Sequence, residues 1–175
     1  ELLPDEDTER EMYYETKSML HKQGFERYEI SNYAKPGYEC RHNIGYWTGI
    51  EYLGLGLGAS SYIQGFRFHN ESDLSLYGRI QMTGTDADEK LHQEITKLSD
   101  KEKMEEFMFL GLRMIKGVSG SEFFQRFGQN MWNVYGNVLN KLKDEGLIIV
   151  DMPDVRLSDY GIDVSNYVLS EFLLD

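Results

Sequence analysis

Cysteine and basic residues are both scarce in this sequence of 175 residues. The single cysteine, Cys40, excludes an intramolecular disulfide and cannot supply the several thiolates of an iron–sulfur cluster. Lysine and arginine number 18 against 30 acidic residues, and the resulting net charge of -12 argues against binding to nucleic acid or to an anionic membrane surface. No apolar run reaches transmembrane length and no signal-peptide pattern opens the chain, so we expect a cytoplasmic protein without stable membrane insertion.

The residues that are present predict a packed domain or two small ones. Apolar residues make up 41% of the chain, which is enough to form a core. The chain begins with Glu1 rather than methionine, and we expect it to come from the middle of a longer protein. Residue order alone names no catalytic dyad or triad, so no catalytic residue is assigned.

The first half alternates helical and extended patterns, which is typical of mixed α and β structure. Five segments are predicted there: a helix over Asp5–Lys22, a strand over Phe25–Ser31, a loop over 32–50, a buried strand over Tyr52–Leu57, and a hairpin over Ser60–His69 that turns near Gln64-Gly65. The predicted loop is rich in both glycine and aromatic residues, which makes it a candidate binding surface. A short helix over Leu74–Met82 and a turn at Gly84-Thr85-Asp86 then lead to a domain boundary between about 84 and 98.

The second half has clearer helical signals. Two capping boxes, at Ser99 and Ser119, predict helices to about Ile115 and Phe127. Apolar spacing predicts a helix over Met131–Glu145, followed by two short strands and a final helix from Ser158 to Leu173. This order is typical of a winged-helix-like module. Residues 99–175 hold eight basic and thirteen acidic residues, a net of -5, so we expect a packing or partner domain rather than a DNA reader.

The string His42-Asn43-Ile44-Gly45-Tyr46-Trp47 is the first candidate site. A neutral imidazole can ligate haem iron, the aromatic rings can flank a porphyrin, and the neighbouring Arg41 can pair with a propionate. Cys40 is a candidate thiolate ligand. The alternative is structural: His42 fixes a loop by hydrogen bonds, the aromatic rings pack in the core, and Cys40 is an ordinary small residue.

Two further strings have a functional and a structural interpretation. Gly54-Leu-Gly56-Leu-Gly58-Ala59 formally matches a dinucleotide fingerprint, but no helix pattern opens after it, so we reject that interpretation. Close approach of another strand or of a nucleoside to this backbone stays open. Tyr28-Glu-Ile-Ser-Asn-Tyr33 places polar groups where a strand ends, either to face a ligand or as turn chemistry.

Taken together, these strings resemble the oxygen-independent coproporphyrinogen III oxidase-like radical-SAM family, and the histidine string resembles its haem-chaperone branch. The matching strings are Tyr28-Glu-Ile-Ser-Asn-Tyr-Ala34, Cys40-Arg-His-Asn-Ile-Gly-Tyr-Trp47, Tyr52-Leu-Gly-Leu-Gly-Leu-Gly-Ala-Ser60, Glu106-Phe-Met-Phe-Leu-Gly-Leu-Arg-Met114 and Leu139-Asn-Lys-Leu-Lys-Asp-Glu-Gly-Leu147. The resemblance implies an α+β fold: residues 1–84 are the terminal helix and strands of a partial (β/α) radical-SAM barrel, 85–98 a connection, and 99–175 a helical winged-helix-like C-terminal domain. A longer parent would hold a [4Fe-4S] cluster and S-adenosylmethionine through a CxxxCxxC motif that this chain lacks.

The resemblance also implies roles for particular residues. It implies that one group of residues binds haem, with His42 as the metal ligand: Cys40, Arg41, His42, Asn43, Tyr46 and Trp47. It places another group on the S-adenosylmethionine side of the barrel: Gly56, Gly58, Ala59, Ser60 and Ser61.

Three functions are therefore expected in order of preference. The first is the C-terminal part of a haem chaperone that binds haem and transfers it to an acceptor protein. The second is oxidative decarboxylation of coproporphyrinogen III to protoporphyrinogen IX, and the third is a non-catalytic interaction domain. We expect the chain alone to be inactive as an enzyme, and its exposed barrel edge to allow pairing with a second copy.

Overall fold

The computed structural model describes residues 3–80 and 90–174 and has the predicted α+β class. The elements of the first half are α1 (Glu6–Lys22), β1 (Glu26–Glu29), β2 (Asn32–Ala34), α2 (Arg41–Trp47), β3 (Ser60–Ile63), β4 (Phe66–Asn70), α3 (Leu74–Tyr77) and β5 (His92–Lys97). The second half contains α4 (Asp100–Gly111), α5 (Gly120–Phe127), α6 (Met131–Asp144), β6 (Ile148–Asp151), β7 (Asp154–Leu157), α7 (Asp159–Asp163) and α8 (Ser165–Ser170). No helix among the described residues is long and apolar enough to cross a membrane.

Helix α1, two small antiparallel sheets and the short helices α2 and α3 form the first half. Asp5 caps α1 by accepting a hydrogen bond from the Thr8 N–H, and β1 pairs with β2 directly after the helix. A three-stranded sheet has the order β3-β4-β5. The predicted β3–β4 hairpin is confirmed, and it turns at Gln64 and Gly65, which both have positive φ.

Two predictions for the first half are wrong. The stretch 32–50 is not a continuous loop, because it contains β2 and α2, and the histidine string is therefore helical. Residues 52–57 are not a buried strand: only Tyr52 bridges to another strand, and Leu55 is 83% exposed. Gly56 and Gly58 have positive φ values of 103° and 63°, which break the regular extension that a strand needs.

The connection between the halves is partly described. The predicted turn Gly84-Thr85-Asp86 and the end of the helix predicted over 74–82 lie outside the described residues. Strand β5, which follows, was not predicted, and it joins the edge of the sheet through β4. The division of the chain into domains at 84 and 98 stays a prediction.

The main core lies in the second half, where α4, α5 and α6 pack against the β6–β7 ribbon and α8. Its largest fully buried side chains include Phe123, Met131, Tyr135, Leu139 and Phe172. The order of three helices, a two-stranded ribbon and further helical turns is the predicted winged-helix-like order.

Three details of the second half differ from the prediction. Ser99 forms its capping box with Glu102 as predicted, but α4 ends at Gly111, before Ile115. Ser119 makes no side-chain cap; the Gly120 N–H donates instead to an Asp154 carboxylate oxygen at 3.1 Å. The predicted final helix is broken at Val164 into α7 and α8.

A short stretch of backbone pairing joins the two halves. The Ile30 N–H donates to the Arg113 carbonyl at 3.0 Å, and the Ile115 N–H donates to the Tyr28 carbonyl at 3.1 Å. The residues after α4 therefore act as a partner for the end of β1. This pairing positions helix α2 beside α4, where the candidate site lies.

Candidate functional site at helix α2

Helix α2 carries all six residues of the predicted haem site, from its N-cap Cys40 to Trp47. Cys40, Arg41 and His42 are exposed, whereas Asn43 and Trp47 are half-buried. No side chain caps the start of the helix. Asn43 anchors the helix to β1 because its amide donates to the Tyr28 hydroxyl at 3.3 Å. One end of the string therefore faces solvent while the other packs against the protein.

A chain of ring contacts continues the site beyond the helix. His42 and Tyr46 stand one helical turn apart with ring centroids at 4.7 Å in an edge-to-face arrangement. Tyr46 meets Tyr52 in the same way at 4.8 Å. The His42 imidazole makes no hydrogen bond or ion pair with any described residue, so both ring nitrogens remain available for a ligand. The structural interpretation in which His42 fixes a loop by hydrogen bonds is therefore wrong.

A cavity of about 610 Å³ lies between α2, the β3–β4 hairpin, α4 and α5. This volume is within the range of about 300–1,000 Å³ that is typical of ligand pockets. Of the predicted haem residues, Asn43, Tyr46 and Trp47 line the cavity, and Cys40, Arg41 and His42 do not. Its aromatic and aliphatic walls come from both halves of the chain, including Tyr52, Tyr62, Phe107, Leu110, Met114 and Phe127.

Ionic groups also line this cavity. Arg67 pairs with Glu106 at 2.9 Å, and burial raises the pKa of that carboxyl above its ordinary value although Arg67 opposes the shift. Arg126 pairs with Glu122 and donates to the Thr48 carbonyl that ends α2. The wall therefore combines apolar surface with charged groups that can orient a polar ligand.

A buried carboxylate helps to hold α2 in position through a neighbouring cation. Glu29 is fully buried, and one of its oxygens accepts from the Ser31 N–H at 2.9 Å and from the Asn32 amide. The other oxygen lies 3.7 Å from the Arg113 guanidinium, which stacks on the Trp47 ring at 4.3 Å. Two interpretations were open for the string from Tyr28 to Tyr33, and these contacts favour the structural one.

The glycine-rich segment folds into a loop that is held by its own neighbours. The Asn70 amide, which is buried, donates to the carbonyl oxygens of Gly54 and Gly56 at 3.2 and 2.8 Å. The Ser61 hydroxyl accepts from the Gly54 N–H at 3.0 Å. A Cβ on Gly54 would lie 2.2 Å from the Ser60 carbonyl oxygen, so another strand of the same chain makes the predicted close approach. This part of the chain contains no helix, which confirms that the dinucleotide fingerprint is a chance match.

Comparison with known proteins supports one family. Residues 98–164 match the model of the HemN C-terminal domain. The chain is 36% identical to the heme chaperone HemW of Lactococcus lactis over 99% of its own length and 44% of that protein, and 36% identical to HemW of Bacillus subtilis over 98% and 44%. It is 32% identical to the mitochondrial radical S-adenosyl methionine domain-containing protein 1 of Bos taurus over 97% of this chain and 40% of that one.

One solved structure shares the fold. Coproporphyrinogen III oxidase (HemN) from Escherichia coli, described as a radical SAM enzyme, superimposes with a TM-score of 0.71 at 16% identity, over 98% of this chain and 42% of that one. The chain carries a HemN C-terminal domain and is homologous over nearly its whole length to the HemW heme chaperones. It spans about two fifths of the length of the relatives named here.

This HemW-like chain does not provide a cluster site of its own. A [4Fe-4S] cluster is normally held by four thiolates, and Cys40 is the single cysteine of the sequence. Within residues 3–80 and 90–174, no three His, Cys, Asp or Glu side chains are grouped to hold a metal ion. His42 thus remains a lone candidate ligand rather than part of a preformed metal centre.

Several cavity residues of this HemW-like chain were missed by the sequence analysis. They come from the hairpin, from α4 and α5 and from the segment between these two helices, and include Arg67, Leu110, Lys116 and Arg126. The sequence pattern that came closest to indicating them was the string Glu106–Met114, which resembles the family and contains Leu110. Nothing in the spacing of these residues indicates that they meet α2, because the contact depends on the pairing of β1 with residues 113–115.

Proposed function

We propose that this HemW-like chain binds haem for delivery to another protein, with His42 as the axial ligand. The observation that carries this proposal is that His42 is exposed on α2 and stands edge to face with Tyr46, while its imidazole has no hydrogen-bond or ion-pair partner among the described residues. A neutral imidazole is a common ligand of haem iron, and an exposed one suits a ligand that must leave again. The HemW relatives carry the name heme chaperone, which supports the same function.

The neighbouring residues have proposed roles in the same site. Arg41 would pair with a haem propionate, Tyr46 and Trp47 would flank the ring, and Asn43 would hold α2 in place through Tyr28. Cys40, exposed at the N-cap of the same helix, would provide a second ligand. Five residues in the glycine-rich loop and at the start of β3 would face S-adenosylmethionine in the longer relatives: Gly56, Gly58, Ala59, Ser60 and Ser61.

Haem titration followed by the Soret band tests His42. We expect the His42→Ala variant to shift the band and to lose about tenfold or more in affinity, since the iron loses its protein ligand. His21→Ala is the matched control, because His21 is exposed on α1, away from α2, and its imidazole pairs with Glu26. Equal affinity and identical spectra for wild type and His42→Ala would remove His42 from this role.

Partners and location are proposed with the same function. We place the protein in the cytoplasm and expect an acceptor protein for the haem. Pairing of two copies through a strand edge is a further proposal, and sedimentation of the chain with and without haem tests it. The radical chemistry would belong to the longer relatives; product formation from coproporphyrinogen III by such a protein, with S-adenosylmethionine under anaerobic reducing conditions, would favour the oxidase alternative instead.

A further inference from the structure

A line of three rings runs from the exposed face of α2 to the residue that precedes the leucine- and glycine-rich segment. The ring centroids of His42 and Tyr46 are 4.7 Å apart with an angle of 83° between the ring planes, and those of Tyr46 and Tyr52 are 4.8 Å apart with an angle of 76°. Both pairs are edge to face, which is an arrangement that aromatic rings favour at this distance. The position of each ring therefore restricts the next one.

Tyr52 is the end of this line that the backbone fixes. Its N–H donates to the Tyr62 carbonyl at 2.8 Å, and the Tyr62 N–H donates to the Tyr52 carbonyl at 2.9 Å. Tyr62 belongs to β3 and pairs with Arg67 across the hairpin. Tyr52 is half-buried, whereas Tyr46 and His42 are exposed on α2. The hairpin thus holds Tyr52 in place, and Tyr52 supports the two rings that face solvent.

The His42 imidazole depends on this support for its orientation. A histidine that ligates a metal usually donates its second ring N–H to a carboxylate, a carbonyl or a water, and this hydrogen bond fixes the ring. Within residues 3–80 and 90–174, His42 has no such protein partner, so the edge-to-face contact with Tyr46 is what restricts its rotation. Because the Tyr46 ring is itself exposed, its own rotamer depends in turn on the contact with Tyr52.

We infer that Tyr52 is a positioning residue that acts through Tyr46 to orient the His42 imidazole toward its ligand. The inference rests on the proposed function for one point, that this ligand is haem iron. The orienting contacts themselves belong to the chain without haem. Since Tyr52 pairs with β3, the position of the β3–β4 hairpin sets the geometry of a ligand that is held on α2.

Nuclear magnetic resonance of the 175-residue chain without haem tests the positioning by itself. Nuclear Overhauser effects between the rings of Tyr52 and Tyr46, and between those of Tyr46 and His42, are expected in the wild type. In Tyr52→Leu the His42 ring signals, identified by their loss in His42→Ala, should move toward those of a freely exposed imidazole. Tyr52→Phe keeps the ring and should keep the wild-type signals. Tyr160→Leu removes an exposed tyrosine of α7 and is the matched control, which should also leave them unchanged.

Haem titration measures the consequence for the ligand. Tyr52→Leu should weaken haem binding about two- to tenfold, the effect of one lost edge-to-face contact, and should broaden the electron paramagnetic resonance signal of ferric haem, because the imidazole then takes several orientations. Tyr52→Phe should restore both. In a Tyr46→Leu background, Tyr52→Leu should cause no further loss of affinity, since its effect passes through Tyr46. Circular dichroism and thermal unfolding check that each variant is folded.

Three results would overturn the inference. The first is the absence of Overhauser effects between Tyr52 and Tyr46 in the folded wild type, a measurement that needs no variant. The second is a set of His42 ring signals that is identical in wild type and Tyr52→Leu, and the third is additive losses of affinity in the double variant, which would mean that Tyr52 contacts haem directly. Failure of the proposed function gives a different pattern: equal haem spectra for wild type and His42→Ala, with the His42 ring signals of the haem-free chain still dependent on Tyr52.

Discussion

The guanidinium of Arg113 lies 4.3 Å from the centre of the Trp47 ring, so a residue just after α4 holds the last residue of α2. The same guanidinium is 3.7 Å from the buried carboxylate of Glu29. Three segments that are distant in the sequence, β1, α2 and the end of α4, therefore share one cation. This arrangement fixes the orientation of α2 and with it the position of the candidate haem site.

Replacing Arg113 should destabilise the protein strongly. Arg113→Ala leaves Glu29 as a buried charge without its counter-ion, and a change of this kind costs about 3–5 kcal/mol. The free energy of unfolding in urea measures the effect. Arg41→Ala is the control, because Arg41 is exposed on α2 and has no partner among the described residues.

A double variant separates the charge from the packing. Glu29→Gln combined with Arg113→Met removes both charges and keeps an apolar group over Trp47, so it should recover much of the loss. A double variant as unstable as Arg113→Ala would show that the ion pair is not the reason for the effect.

Local signals predicted some elements well because those elements depend on local interactions. Helix α6 follows from apolar residues spaced at 3.6 per turn, and its buried side chains Met131, Tyr135, Leu139 and Leu142 are the ones that the spacing indicates. The start of α4 follows from the capping box of Ser99 and Glu102.

Non-local contacts explain the predictions that were wrong. Helix α2 contains Gly45 and two aromatic residues, which are weak helix formers, and it is held by Tyr28 and Arg113 from other elements. Leucines and glycines alternate over 53–58 as in a buried strand, but no strand in the described part of the chain pairs along them. The sequence predicted Tyr46 and Trp47 as binding residues, and both line the cavity, but it could not show that Lys116 lies at the same cavity.

Gly161→Ala should be strongly destabilising, in contrast to Gly136→Ala. A Cβ on Gly161 would lie 1.9 Å from the Leu147 carbonyl oxygen, so α7 would have to move off β6, at a cost of about 1–3 kcal/mol. A Cβ on Gly136 meets nothing within 4 Å in the middle of α6, and alanine there should stabilise the protein by about 1 kcal/mol. Thermal unfolding of both variants checks the prediction, and equal effects would contradict the close approach at Gly161.

Asn70→Asp should destabilise the glycine-rich loop. The substitution removes the N–H donors to the Gly54 and Gly56 carbonyls and places a buried carboxylate against them, which costs about 3 kcal/mol. Hydrogen exchange measured by mass spectrometry should show faster exchange over 54–60. Asn133→Asp, on the exposed face of α6, is the matched control, and unchanged exchange in Asn70→Asp would contradict the role of this side chain.

Tyr135→Phe should stabilise the protein at neutral pH. The Tyr135 hydroxyl is buried and has no hydrogen-bond partner among the described residues, so its removal should gain about 1 kcal/mol. Burial also raises the pKa of Tyr135 above its ordinary value near 10.

The raised pKa predicts how that gain depends on pH. Because the folded state disfavours the phenolate, ionisation of Tyr135 does not affect the free energy of unfolding below about pH 10 and lowers it as the pH rises above that value. The Phe variant should therefore lose less stability between pH 9 and pH 11, although Tyr13 and Tyr52, whose pKa values are also raised by burial, keep some dependence in both proteins. Urea unfolding of wild type and variant across this range measures the difference, and parallel curves would show that Tyr135 does not titrate differently in the folded and unfolded states.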